Sequence, residues 1–102
     1  MPDRSQLVVD AYCRAVAALL EQHAQEILAK ARGNLERMRL QCHPALVSEW
    51  KRVLAQPVDR IAVVLTGSPG AALRRNHPFA GVLSETARQR ILRGLKREAR
   101  GA

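Results

Sequence analysis

Between Arg4 and Gln41 the chain has no proline and a single glycine, Gly33, and it is rich in Ala, Leu, Arg, Glu and Gln. These residues cost least in a helix. A stretch of this length and composition predicts one long helix, around which the rest of the fold is arranged. At 3.6 residues per turn, Val8, Tyr12, Val16, Leu19, His23 and Ile27 fall within about 100° of arc and form a core-facing stripe. Glu21, Gln22, Gln25 and Glu26 occupy the other side. Ser5 is the expected N-cap. Gly33-Asn34 is the one interruption. It reads either as a C-cap followed by a fresh N-cap or as a tolerated mid-helix pair costing about 1 kcal/mol. Strong helix formers on both sides favour continuity.

A straight helix over residues 4 to 41 spans about 57 Å, whereas a compact chain of this size has a radius of gyration near 13 Å. Such a helix overhangs the remainder of the fold. Homodimerisation through it, chiefly between residues 20 and 42, is the expected way of covering the overhang, and a sharp bend at Gly33 removes that need.

Prolines and glycines punctuate everything that follows. Pro44 pushes His43 out of the helical region and suits the first turn of a second helix, residues 44–56, with Leu46, Val47, Trp50, Val53 and Leu54 inward. Pro57 opens a third helix, 57–66, which buries Val58, Ile61, Ala62 and Leu65 and stops at Gly67. Ser68-Pro69 reads as an N-cap with proline at the first helical position, giving a short fourth helix over 68–76. Ser84 caps a last helix, 84–99, with Ala87, Ile91, Leu95 and Ala99 on its apolar face. The expectation is a small all-α domain of four or five helices spanning residues 1–102. Its core is aliphatic, because the only aromatic residues are Tyr12, Trp50 and Phe79.

Several classes of function are disfavoured by the same reading. The apolar runs "VAALL" and "IAVVL" are far short of the roughly 18 residues of a membrane span. The N-terminus lacks the basic-then-apolar order of a signal peptide, so a cytoplasmic location is expected. Cys13 and Cys42 are too few for a disulfide framework and read as reduced core residues. No C-x-x-C or H-x-x-x-H spacing suggests a metal. Cys42 and His43 are sequence neighbours with diverging side chains and no third group to orient the histidine. The carboxylates Glu49 and Asp59 sit on solvated helix exteriors. "TGSPGAALRR" has the ingredients of an anion site but lacks the Lys-Ser/Thr of a phosphate loop, and a helix-capping turn explains it. Neither catalysis nor a cofactor is expected.

Charge carries the functional signal. The net charge is +8, and Arg outnumbers Lys 14 to 3, a bias that a GC-rich bacterial genome produces without selection for binding. Its distribution is more telling, because residues 74–102 hold 8 basic and 2 acidic groups, whereas residues 1–73 hold 9 and 7. In the last helix Arg90, Arg93, Lys96, Arg97 and Arg100 share roughly 120° of arc opposite the apolar face. Together with Arg74 and Arg75 they form a candidate surface for nucleic acid, through non-specific contacts to the phosphate backbone, or for an acidic protein. A helix-turn-helix over residues 60–76 is disfavoured, because the second helix would begin with Ala and Leu where base-reading side chains belong. The segment Asn76-His77-Pro78-Phe79 reads as a structured connector, with Asn76, His77 and Phe79 as an alternative recognition loop. The expected function is therefore that of a small non-catalytic binding protein, an accessory or regulatory factor touching nucleic acid through the basic last helix. The alternative is a protein–protein adaptor using the long helix and the Asn76–Phe79 loop.

Overall fold

The computed structural model describes residues 3–101, with side chains through Glu98. Five α-helices follow one another: α1 (Arg4–Met38), α2 (Pro44–Leu54), α3 (Val58–Thr66), α4 (Ala71–Arg74) and α5 (Glu85–Gly101). A 3-10 turn, Ser68–Gly70, leads into α4, and no strand occurs among the described residues. The fold is all-α, as the composition and periodicity require.

The long helix is present but it is not straight. His23 has φ −130° and ψ 34°, outside the helical region, and α1 kinks there. A straight helix of α1's length would measure about 52 Å, yet the longest dimension of the molecule is 40 Å. The radius of gyration, 13.7 Å, is that of a compact chain. The expected overhang does not exist, and the case for a second copy built on it loses its premise. The bend is not at Gly33, which lies in a regular stretch with open space where a side chain would go.

A loop explains where the kink belongs. The hydroxyl of Tyr12 donates to the Phe79 carbonyl at 2.7 Å, and Asn34 donates through Nδ2 to the carbonyls of Pro78 and Ala80 at 2.8 and 2.9 Å. A straight helix would separate positions 12 and 34 by about 33 Å, too far for both side chains to reach adjacent peptides. His23 lies midway between them, and bending there brings both halves of α1 onto the loop that follows α4. A third element joins them, as the indole of Trp50 on α2 donates to the Asn76 carbonyl at 2.8 Å. Phe79 sits at the centre, fully buried, with its ring edge-on to Trp50 at 5.7 Å. Paired aromatic rings in this geometry add about 0.5–1.5 kcal/mol beyond their buried area.

The buried stripe of α1 runs through the kink. Cys13, Val16, Leu20, Ile27, Ala31 and Leu35 face the core, while Leu19 and His23 are exposed. Val16 and Ile27 of the expected stripe are buried and Val8 and Tyr12 half-buried, but Leu20 takes the core place expected of Leu19, and Cys13, Ala31 and Leu35 join it. The caps differ as well. Asp3, not Ser5, caps α1, accepting from the Gln6 amide at 2.7 Å. His43 caps α2 through Nδ1, and Ser84 caps α5 as expected, accepting from the Ala87 amide at 3.1 Å.

The segment predicted as a fourth helix over 68–76 is a 3-10 turn followed by one helical turn, and Ser68 makes no capping bond. Close packing is the reason. A Cβ on Gly70 would sit 2.1 Å from the Val64 carbonyl oxygen, so the turn presses its backbone directly against the end of α3.

Candidate nucleic-acid interface

The turn against α3 places Arg74, and the result corrects the sequence reading. Arg74 is 4% exposed and donates through Nε to Asp10 at 3.0 Å and through Nη1 to the carbonyls of Val64 and Gly67 at 2.8 and 2.6 Å. Those carbonyls belong to the C-terminal end of α3, where backbone acceptors lack helical partners and a cation is favoured. Arg74 is thus a buried cap for α3 and is not available to a phosphate. Burial acts to raise the Asp10 carboxyl, but hydrogen bonds from Gln6 and Arg74, with the charges of Arg74 and Arg14, outweigh it and hold the group below its ordinary value. Arg75 remains exposed, though its guanidinium donates to Gln6 at 2.5 Å and lies 3.8 Å from Asp3.

Half of the net charge of +8 lies in α5, which holds six basic and two acidic residues. Ser84 caps the helix and Glu85 occupies its first turn, where a carboxylate favours the dipole. Ala87 and Ile91 pack against the core, and Leu92 and Leu95 are half-buried. Arg90, Arg93, Lys96 and Arg97 are all exposed, and none forms an ion pair with another described residue. Arg88 differs, being paired with Glu85 at 3.3 Å. The side chains of Ala99 and Arg100 lie outside the described residues. Of the seven cations singled out in the sequence, the structure keeps four together on one outward arc and sets Arg74 and Arg75 apart.

The Asn76–Phe79 loop is anchored rather than presented. The exposed Asn76 holds Trp50 through its carbonyl, and Pro78 and Phe79 are fully buried. His77 stacks on Tyr12 at 5.2 Å, and its Nδ1 accepts the Phe79 amide at 3.1 Å. Burial holds the imidazole below its ordinary value, which keeps it neutral. A partner could touch the edge of this loop but not the Phe79 ring.

Burial in the core pushes the Cys13 thiol up to about 12, so it is a packed apolar group at neutral pH. Among the described residues no cluster of three or more His, Cys, Asp or Glu is placed to hold a metal ion, and no helix is long and apolar enough to cross a membrane. No protein family, characterised protein or solved structure matches this chain.

Proposed function

We propose that this protein is a small non-catalytic nucleic-acid-binding factor of accessory or regulatory type, and that α5 is its contact surface. The observation that carries the reading is the outward arc of Arg90, Arg93, Lys96 and Arg97, exposed and free of acidic partners among the described residues. Four such cations can each neutralise a phosphate and release its counterion. The contact is to the backbone, because the amide that shares the arc, Gln89, is held by Glu85 at 2.9 Å and is not free to pair with adenine. Duplex is preferred over single strands. Trp50 and Phe79 are fully buried and the hydroxyl of Tyr12 is bonded inside the fold, which leaves no aromatic platform for unstacked bases. The adaptor alternative is weakened by the burial of Phe79.

Electrophoretic mobility shift with random-sequence duplex at two salt concentrations tests this. Binding should weaken with salt, and Arg93→Glu with Arg97→Glu should flatten the slope of log affinity against log salt by roughly 0.7–0.9 per lost contact. Failure of the wild-type protein to shift any nucleic acid at low salt would overturn the proposal. An acidic protein partner would be indicated instead if the double reversal abolished a pull-down while nucleic acid bound poorly.

A further inference from the structure

On the opposite side of α5 from the basic arc, a cleft of about 300 Å³ opens between α5 and the first half of α1. This is at the small end of the range for ligand pockets, about 300–1,000 Å³. Its walls are aliphatic, from Val8 and Val9 on α1 and Ile91 and Leu92 on α5, and His77 and Arg88 also line it.

The polar groups in the cleft are unequal. The hydroxyl of Tyr12, which also borders it, is committed twice, donating to the Phe79 carbonyl and accepting the Leu83 amide at 3.3 Å. His77 is committed at Nδ1 only. A neutral imidazole that accepts at Nδ1 carries its proton on Nε2. No buried side-chain nitrogen or oxygen among the described residues lacks a partner, so this N–H is open to solvent, and His77 lines the cleft. Arg88 is half-exposed and held only by the neighbouring Glu85, a pairing of small worth at the surface. Among the described residues it is the one charged side chain lining the cleft. Apolar walls, one guanidinium fork and one neutral N–H donor together match a single planar anion with an apolar tail. A phosphate monoester, with nearly two charges, would leave one uncompensated.

We propose that this cleft binds a small carboxylate bearing an aliphatic or aryl tail, with the carboxylate on Arg88 and Nε2 of His77 and the tail between α1 and α5. The site is independent of the basic arc, and its test does not involve nucleic acid.

The probe is 4-phenylbutyrate, titrated into the 102-residue chain and followed by amide chemical shifts. The expected result is saturable shifts confined to residues 8–12, 77–81 and 88–92. The neutral alcohol 4-phenylbutanol should bind about tenfold more weakly, the scale of one charge-assisted hydrogen bond at a partly exposed site. Arg88→Ala should bring the acid down to the affinity of the alcohol while the melting temperature stays at its wild-type value. Absence of saturable shifts in the millimolar range, equal affinity for acid and alcohol, or full acid affinity in Arg88→Ala would each overturn the assignment.

Discussion

Replacing Arg74 with Met tests the buried cap most directly. Met keeps much of the apolar stem and deletes the guanidinium, so the loss reports on charge and hydrogen bonding more than on volume. Three bonds go: one to Asp10 and two to the final carbonyls of α3. Removing one partner of a buried pair costs about 3–5 kcal/mol. The Asp10 side chain is 23% exposed and keeps its bond from Gln6, so water and that amide compensate part of the loss. The expected destabilisation is about 3 kcal/mol, a large share of the 5–15 kcal/mol of an ordinary domain. Urea unfolding followed by far-ultraviolet dichroism and Trp50 fluorescence measures it. Asp10→Asn should cost less, about 1–2 kcal/mol, because Arg74 retains both carbonyls. The pH profile supplies a second check. The carboxyl of Asp10 is held below 3.8 in the folded chain, so its contribution is fully present above that value. It is lost as pH falls through the folded value, because the unfolded chain takes up the proton first. Arg74→Met should shrink this acid limb. A variant within about 0.5 kcal/mol of wild type, the range of ordinary surface changes, would refute the buried cap and return Arg74 to the exposed cations.

Four further outcomes are expected. Gly70→Ala should destabilise by several kcal/mol in the same urea assay, because its Cβ would collide with backbone 2.1 Å away. Gly33→Ala, with open space at its Cβ, should stabilise by about 0.5–1 kcal/mol. Asn34→Leu should lower stability by about 2–3 kcal/mol, since it strips two loop carbonyls of their donor, and the loss should appear as faster amide exchange across residues 76–83. His77 is held below its ordinary 6.5, so its contribution is present above that pH and declines as pH falls below it. Thermal melts from pH 7 to 5 should show that decline in wild type, and His77→Gln should flatten it while leaving the Asp10 limb in place.

What could be read from the sequence was what local chemistry decides. Pro44 and Pro57 set helix starts through their own rings, Ser84 caps through its own hydroxyl, and the basic arc of α5 follows from the spacing of residues on one helix. The rest depends on partners distant in sequence. Arg74 and Asp10 are separated by 64 positions, and nothing near either one marks Arg74 as buried rather than solvated. The kink at His23 has no proline or glycine to announce it, and the stripe of α1 passes through it without a break in period. It exists because positions 12 and 34 both bond a loop that lies dozens of residues later. The cleft was invisible for the same reason, since Tyr12, His77 and Arg88 meet only once that loop is seated.

The loop that bends α1 is made long after α1 itself. Asn34 precedes Ala80 by 46 residues, an interval of roughly 2–10 s at ordinary rates of synthesis. For nearly all of that interval the growing chain contains α1 without the peptides that hold its two halves together. The apolar stripe from Cys13 to Leu35 is therefore made before the loop that completes its cover, and the first packing open to it is against α2 and α3.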